Sequence, residues 1–316
     1  MNFKEYKLWQ KEFLEKKPNV FRADCMNPFK SMDYLLKNIE FSDKKREKKE
    51  LYELWSKVNS IEISTENLAF SKGVRDSLGI LFEIFKEKNI YMPQDIYPRY
   101  FELASKNKVH TFTTYPMMDW AYIGGIKGSV VLLTIPFTPV GRRLSDEDIG
   151  QIEELISNGN YVVIDSVYDY DLKKSFSSLG KLLKSERLFW LHSLSKTYLS
   201  PEVLGINYVP SGYKQYFESS WKAKKKDGAD FSRPYDILAQ KQNFAEVQAG
   251  EFRKGWSNLY ENTGLEVSAE IAYFSVIEEP FEELLKRNIL GVPASVFGSK
   301  KSDVTIVTSL FYLSVL

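Results

Sequence analysis

The sequence contains few of the side chains that form disulfides or bind metal ions. Its 316 residues include one cysteine, Cys25, and two histidines, His110 and His192. A single cysteine cannot form a disulfide within the chain, and its scarcity suits a reducing compartment. Because zinc sites need several cysteines and histidines at set spacings, we expect no metal site.

Long apolar runs are also absent. The most apolar run, residues 304–316, is too short to cross a bilayer as a helix. The first 13 residues are charged throughout and lack the apolar core of a signal peptide. The formal net charge of +1 gives no reason to expect nucleic acid or an anionic membrane as a partner. We therefore expect a cytoplasmic protein with neither kind of partner.

The composition that remains is that of a globular protein. Apolar residues make up 43% of the chain and charged residues 27%, and the length allows a large domain with a smaller one beside it. Apolar runs alternate with amphipathic segments, which predicts an α/β fold with a mostly parallel sheet between helices. We predict helices at residues 2–16, 43–58, 78–85, 145–156, 235–260 and 281–289, and strands at 89–93, 109–114, 130–135, 161–165, 188–191, 205–210 and 303–311.

One lysine follows a predicted strand in a chemically useful setting. The apolar run at residues 188–191 leads into Ser193, Ser195, Lys196 and Thr197. A lysine at the edge of a packed sheet is poorly solvated, which lowers the pKa of its amine and makes it a nucleophile towards an aldehyde. The neighbouring hydroxyl groups are short hydrogen-bond donors that suit a phosphate.

Two other predicted strands end on polar residues or on a turn. One apolar run ends at Asp165, and Tyr168 follows three residues later; another leads into the turn Thr138-Pro139-Val140-Gly141. The carboxyl ends of parallel strands collect the ligand-binding residues of α/β sheets. We therefore expect Asp165, Tyr168 and Lys196 to lie together.

These segments together resemble the pyridoxal-phosphate-dependent aminotransferases of class I and II, which have fold type I. The turn at Thr138 is similar to the family's Asn-Pro-Thr-Gly turn. The stretch from Asp165 to Tyr168 is similar to its Asp-x-x-Tyr motif, and Ser193 to Lys196 to its Ser-x-Ser-Lys motif. The resemblance covers roughly residues 65–311 and implies a large domain with a mostly parallel sheet sandwiched by helices plus a small α+β domain.

The resemblance also implies roles for three residues. Lys196 would form a Schiff base with pyridoxal 5'-phosphate and would move a proton on the substrate. Asp165 would keep the pyridine nitrogen protonated, so that the ring stabilises negative charge. Tyr168 would hydrogen-bond the ring hydroxyl oxygen.

Further residues resemble the family's cofactor pocket. Gly73, Val74 and Arg75 lead into a predicted helix, where free backbone N–H groups suit a phosphate. Tyr97 is similar to the aromatic residue that stacks on the pyridine ring. The expected cofactor-binding residues are Gly73, Val74, Arg75, Tyr97, Thr138, Asp165, Tyr168, Ser193, Ser195 and Lys196.

Two positions around the cofactor depart from the family pattern. Thr138 stands where the family has an asparagine bonded to the ring hydroxyl oxygen. Residues 201–205 lack the arginine that binds the phosphate in the family. Arg75 and Lys72 are the candidates to supply the missing positive charge.

A third departure concerns the substrate. Thr305 occupies the place of the arginine that clamps the substrate α-carboxylate, and a neutral hydroxyl cannot offset the cost of desolvating a carboxylate. Either another arginine takes over, with Arg99, Arg142 and Arg143 as candidates, or the amino substrate lacks a free α-carboxylate. We favour the second explanation, with an amine, an amino sugar or a carboxyl-tethered amino acid as substrate.

The sequence thus predicts an aminotransferase that moves an amino group between a small-molecule amino substrate and a keto acid. The resemblance implies a homodimer. A lyase, cyclase or decarboxylase on the same fold and a catalytically degenerate binding protein remain alternatives. We expect an N-terminal helical segment at residues 1–60, a cofactor-binding domain at 61–235 and a small domain at 236–316.

Overall fold

The structure is a computed structural model that describes residues 1–61, 64–200, 204–224, 231–267 and 272–310. Residues 201–203, part of the segment without the family's arginine, lie outside it, as does residue 311 of the last predicted strand. The strands are β1 (Phe21–Arg22), β2 (Leu68–Ser71), β3 (Asn89–Pro93), β4 (Lys108–Phe112), β5 (Val130–Thr134), β6 (Tyr161–Asp165), β7 (Leu188–Ser193), β8 (Gly205–Tyr208), β9 (Phe274–Ile277), β10 (Ile289–Leu290), β11 (Val292–Pro293) and β12 (Thr305–Thr308).

The helices alternate with the strands through the middle of the chain. They are α1 (Phe3–Lys16), α2 (Pro28–Met32), α3 (Lys48–Val58), α4 (Val74–Ile84), α5 (Arg99–Leu103), α6 (Trp120–Gly124), α7 (Asp146–Ser157), α8 (Leu172–Leu179), α9 (Leu194–Thr197), α10 (Lys214–Lys224), α11 (Ser232–Gln240), α12 (Phe244–Thr263) and α13 (Phe281–Lys286). Within the described ranges, no helix is long and apolar enough to cross a membrane.

The main sheet of the described chain has seven strands in the order β2-β8-β7-β6-β5-β3-β4. Strands β7, β6, β5, β3 and β4 run parallel to one another. Strand β8 runs antiparallel to both β2 and β7. The predicted α/β fold with a mostly parallel sheet is confirmed.

Both faces of this sheet are buried, because alternate residues of a strand point to opposite sides. In β5, Val131 and Leu133 belong to one hydrophobic cluster, and Val130 and Leu132 belong to another. Strands covered by helices on both faces read as continuous apolar runs. This is why β5, β6 and β7 could be recognised in the sequence.

A smaller three-stranded antiparallel sheet, β11-β12-β9, forms late in the chain. Strand β1 pairs in parallel with β10, with Phe21 opposite Ile289. The hydroxyl of Tyr6 on α1 donates to the carbonyl of Gly291 at 2.8 Å. The N-terminal segment is therefore joined to the C-terminal part, while the three-region division stays a prediction.

Some elements differ from the prediction. The helix expected at residues 235–260 is two helices, α11 and α12, and strands β1, β2, β9, β10 and β11 were not predicted. The break between the helices has no Gly or Pro to signal it; the Lys241 ammonium there donates to the carbonyl of Leu35 at 2.6 Å. Tertiary contacts of this kind override local helix propensity.

The strand pairing sets Ser71, Gly205 and Ser193 side by side at one level of the sheet. A buried hydrogen-bond network fastens this level to α4. The Ser77 hydroxyl contacts Ser71 Oγ at 2.7 Å and Asn207 Oδ1 at 2.8 Å. The backbone that follows β2 is thereby held next to the residues that follow β7.

Gly205 is required at this level because there is no room for a side chain. A Cβ atom there would collide with Ser71 Oγ and would lie 3.1 Å from the Cα atom of Gly73. We expect Gly205→Ala to lower the free energy of unfolding by about 2 kcal/mol, as overpacking does in cores. Urea denaturation measures the change.

Gly212→Ala is the matched control, because a Cβ atom at Gly212 meets nothing within 4 Å. Its free energy of unfolding should change by no more than about 0.5 kcal/mol. Equal stabilities for the two variants would contradict the close contact at Gly205.

Candidate active site

A cavity of about 730 Å³ opens where β5, β6 and β7 reach their carboxyl ends. The structure brings all ten cofactor-binding residues predicted from the sequence into its wall: Gly73, Val74, Arg75, Tyr97, Thr138, Asp165, Tyr168, Ser193, Ser195 and Lys196. Parallel α/β sheets place their ligands at this edge.

Lys196 lies on the short helix α9, directly after β7. Burial lowers the pKa of its amine, and the positive charge of Arg75 lowers the pKa further. The Nζ atom donates to Asn27 Oδ1 at 3.1 Å. The lysine is therefore held by a neutral partner, and its amine loses its proton more readily than a solvated lysine.

His192 supports the turn that carries Lys196. Burial lowers the pKa of the imidazole to about 4, so the ring is neutral. Its Nδ1 atom lies 2.9 Å from the Ser166 carbonyl, which can only accept. Nδ1 therefore carries the proton, and Nε2 accepts from the Thr197 hydroxyl at 2.9 Å.

Asp165 ends β6 with its carboxylate buried. The Tyr100 hydroxyl donates to Oδ2 at 2.6 Å and the Val167 N–H donates to Oδ1 at 3.0 Å. Burial raises the pKa of the carboxyl group to about 6, against the opposing effect of these hydrogen bonds. No lysine, arginine or histidine among the described residues forms an ion pair with it.

Two tyrosines shape the cavity walls. Burial raises the pKa of Tyr168 to about 12, so its hydroxyl stays protonated and able to donate. The Tyr168 ring packs edge-on against Tyr273, with ring centres 5.5 Å apart. Tyr97 packs edge-on against Phe3 of α1 at 5.6 Å. Aromatic contacts of this geometry hold both rings in place.

One end of the cavity collects N–H and hydroxyl groups. Gly73 precedes α4 with φ of +76°, and no side chain caps the helix at this residue. The Ser193 and Ser195 hydroxyls lie 2.9 Å apart beside it. This end of the cavity suits an anion, because the first N–H groups of a helix need acceptors.

Arg75 and Lys72 lie at the same end and are both exposed. The Lys72 ammonium donates to the carbonyl of Lys224 at 3.0 Å. Arg75 forms no ion pair with any residue that the structure describes. Of the two candidates, Arg75 is the one whose side chain donates to no residue that the structure describes.

Thr138 also lies at the cavity wall, held by a local bond. Its N–H donates to Thr134 Oγ1 at 3.0 Å, and the two hydroxyl oxygens lie 3.3 Å apart. The turn that replaces the family's asparagine therefore presents paired hydroxyl groups.

The structure changes the interpretation of the last strand. Thr305 is fully buried and its hydroxyl donates to the carbonyl of Glu279 at 2.8 Å, away from the cavity. The β12 residue that lines the cavity is its neighbour Ile306. Because strand residues alternate between faces, a shift of one position exchanges a polar residue for an apolar one.

The three arginines considered as substitutes do not line this cavity. Each is paired with a carboxylate elsewhere: Arg99 with Glu102, Arg142 with Asp148 at 2.6 Å, and Arg143 with Asp171 at 3.0 Å. The hypothesis that one of them binds the substrate carboxylate is therefore wrong for this structure.

The N-terminal segment supplies residues that the sequence did not indicate. Asn27, Arg22, Asp24 and Gln10 line the cavity opposite the main sheet. The Asn27-Pro28 pair is a turn signal, but it does not tell which part of the fold the turn reaches. The pairing of β1 with β10, between residues far apart in the sequence, brings this segment to the site.

No group of three or more histidine, cysteine, aspartate or glutamate side chains in the described ranges could hold a metal ion.

Several solved structures with the same architecture are aminotransferases. An aminotransferase from Mycobacterium tuberculosis superposes with a TM-score of 0.73 at 12% identity, covering 99% of this chain and 94% of that one. The aromatic aminotransferase from Pyrococcus horikoshii OT3 gives 0.72 at 16% identity, covering 94% and 93%. The aspartate aminotransferase from Thermotoga maritima gives 0.67 at 15% identity, covering 99% and 96%. At these identities the similarity shows the fold alone.

Sequence comparison identifies the family. A search of curated protein sequences finds no match. The family model for aminotransferase class I and II matches residues 41–218, more than half of the chain, including the predicted cofactor-binding residues from Gly73 to Lys196. The chain belongs to the aminotransferase class I and II family, whose enzymes depend on pyridoxal phosphate.

Proposed function

We propose that this enzyme transfers an amino group between an amino substrate without a free α-carboxylate and a keto acid, with its cofactor on Lys196. The observation that carries the proposal is the cavity in which the poorly solvated Lys196 amine and the buried Asp165 carboxylate both lie. From the family resemblance we also propose a homodimer, and from the scarcity of cysteine we propose a cytoplasmic location.

The groups around the cavity fit pyridoxal 5'-phosphate. A buried carboxylate without a cation is costly, and a protonated ring nitrogen beside Asp165 would offset that cost. The end with Gly73 and the two serines offers N–H and hydroxyl donors to a phosphate. Tyr97 supplies a flat wall for a ring.

When bound, the cofactor supplies an aldehyde that takes up the amino group and a ring that stabilises negative charge on the substrate carbon. Burial favours the neutral form of the Lys196 amine. The amine can therefore accept a proton from the substrate carbon and transfer it to the C4′ carbon of the cofactor. The Tyr168 hydroxyl, which stays protonated, would donate a hydrogen bond to the ring oxygen. Asp165 would hold the ring nitrogen in its charged form.

The substrate proposal rests on the part of the cavity wall that the C-terminal residues form. Ile306, Phe274 and Phe297 line it with apolar side chains. An apolar wall gives no hydrogen bond to a desolvated carboxylate, which makes binding of a free α-carboxylate there unfavourable.

Replacing Lys196 with alanine tests the site. Borohydride reduction of the holoenzyme should leave a stable pyridoxyl group on Lys196, located by peptide mass spectrometry, and Lys196→Ala should abolish it. Lys48→Ala is the control, because Lys48 is also a partly buried lysine with a pKa that burial lowers, and it lies outside the cavity. A pyridoxyl group on another lysine of the unchanged protein would contradict the assignment.

Arg75→Ala tests the source of the phosphate charge. A charge-assisted hydrogen bond to phosphate contributes roughly 1.5–3 kcal/mol, so the variant should bind the cofactor about ten- to a hundredfold more weakly. Lys72→Ala should have the smaller effect, since its ammonium already has a partner. Spectroscopic titration of the apoprotein with pyridoxal phosphate gives the affinities.

Arg99→Ala serves as the control for this series, because Arg99 is an exposed arginine outside the cavity. Unchanged cofactor affinity in both Arg75→Ala and Lys72→Ala would show that neither residue replaces the family's arginine.

A screen of amino donors tests the substrate class. We expect amines and carboxyl-blocked amino acids to react faster with the holoenzyme than free α-amino acids do. The loss of the visible absorption band of the cofactor follows each half-reaction. Fast conversion by glutamate or alanine, with no gain for the blocked analogues, would show that the apolar wall does not set the specificity.

A further inference from the structure

We propose that Arg22 binds an acidic group of the amino substrate that lies remote from the amine, so that the cavity takes an ω-amino acid. The inference rests on the proposed function and names the substrate class of the same site. Arg22 lies in the cavity wall, and only some of its guanidinium N–H groups donate to other residues of the protein.

The backbone around Arg22 is fixed by strand pairing on both sides. Arg22 lies opposite Leu290 in the β1–β10 pair, and the Ala23 N–H donates to the Leu290 carbonyl at 2.8 Å. The carbonyl of Ala23 accepts from the N–H of Thr308 on β12 at 2.8 Å. Arg22 therefore projects from a rigid scaffold, which reduces the entropy lost when a ligand binds.

Its side chain is oriented by a buried carboxylate. Arg22 Nε donates to Asp24 Oδ1 at 2.5 Å, and Nη2 donates to Oδ2 at 3.2 Å. Asp24 is completely buried and also accepts from the side-chain amide of Gln10 on α1. One edge of the guanidinium is thus fixed, and with it the plane of the whole group.

The other edge of the guanidinium remains open. A guanidinium has five N–H donors, of which Asp24 takes two. Nη1 donates to no residue that the structure describes, and the Arg22 side chain is 33% exposed at the cavity. The Nη1–Nη2 edge has the two-pronged geometry that matches a carboxylate.

A chain of hydrogen bonds holds the groups beside Arg22. Lys7 also lines the cavity, and its ammonium donates to Gln10 Oε1 at 3.0 Å. Lys7, Gln10, Asp24 and Arg22 therefore form one hydrogen-bonded chain along the cavity wall, which fixes the carboxylate that orients Arg22.

The proposed substrate has no free α-carboxylate, so an acidic group that Arg22 binds lies further along the substrate from the amine. Lys196 Nζ donates to Asn27 Oδ1 at 3.1 Å, and the chain from Arg22 to Asn27 places the Cα atoms of these two residues at most ~17 Å apart. One short molecule can therefore reach both the Lys196 amine and Arg22, as an ω-amino acid would.

Half-reactions of the holoenzyme with matched acids and amides test this. The donors are 4-aminobutanoate, 5-aminopentanoate and 6-aminohexanoate, each compared with its neutral amide. The wild type should prefer at least one acid over its amide. Arg22→Gln should raise the half-saturation concentration for that acid by about ten- to a hundredfold, with the amide changed by less than about threefold.

Arg142→Gln is a matched control. The Arg142 side chain is also 33% exposed, and it donates two hydrogen bonds to the buried carboxylate of Asp148. Arg142 lies outside the cavity. It should keep the wild-type preference for the acid. Arg22→Lys keeps the positive charge but loses the two-pronged hydrogen-bonding geometry. Its half-saturation concentration for the acid should lie between those of Arg22→Gln and the wild type.

A binding measurement on the holoenzyme accompanies the kinetics, with pentanoate and pentanamide as amine-free probes in isothermal titration calorimetry. The wild type should bind pentanoate more tightly than pentanamide, and Arg22→Gln should lose the difference. No preference for acid in the wild type, or equal losses for acids and amides in Arg22→Gln, would overturn the inference.

Failure of the proposed function has a different result. In that case neither acids nor amides transfer their amino group, and the titrations with pentanoate and pentanamide alone decide whether Arg22 is an anion site. Active transfer without any acid preference would leave the proposed function intact and reject the role of Arg22.

Discussion

The active site depends on two ionisable groups that are buried at the strand ends, the Asp165 carboxylate and the Lys196 amine. The two groups do not form an ion pair with each other. The Asp165 carboxylate is held by a tyrosine hydroxyl and a backbone N–H, and the Lys196 amine is held by the neutral amide of Asn27. A direct ion pair would satisfy both at once. Because each instead hydrogen-bonds only neutral partners, both remain available to a ligand. Burial raises the pKa of the Asp165 carboxyl group and lowers the pKa of the Lys196 amine.

The surrounding structure keeps these two groups apart by satisfying its other polar atoms locally. His192 is neutral and bonds both Ser166 and Thr197, which fixes the turn around Lys196. The Ser71–Ser77–Asn207 network fixes the backbone before α4 in the same way. Packed polar networks of this kind give a single geometry. In this geometry the Asp165 carboxylate and the Lys196 amine lie at the cavity without an ion-pair partner among the described residues.

The sequence was informative wherever a motif follows a buried strand. Asp165, Lys196 and the turn at Thr138 each come after an apolar run, so their common location follows from the strand ends alone. Prediction failed at Thr305, because a shift of one residue in a strand changes the face, and apolar runs do not fix that register. The division of residues 235–260 into two helices depends on tertiary contacts, which local patterns do not contain.

The part of the cavity wall that comes from the N-terminal segment, with Gln10, Arg22, Asp24 and Asn27, could not be predicted for a related reason. Strand β1 has two residues, and its partner β10 lies near the other end of the sequence. Such a pairing gives no periodic signal, so nothing in the sequence connects Arg22 or Asn27 with Lys196. The resemblance to the family also covered only the later residues, which left this wall unassigned.

Helix α1 contributes Phe3, Lys7 and Gln10 to the cavity, and it is attached to the C-terminal part through Tyr6 and Gly291. The affinity of any molecule that contacts these side chains depends on whether α1 is docked on the rest of the protein. By thermodynamic reciprocity, the ligand strengthens the docking of α1 by the same factor by which docked α1 strengthens the binding of the ligand. Occupancy of the active site and the folding of this segment are therefore one coupled equilibrium.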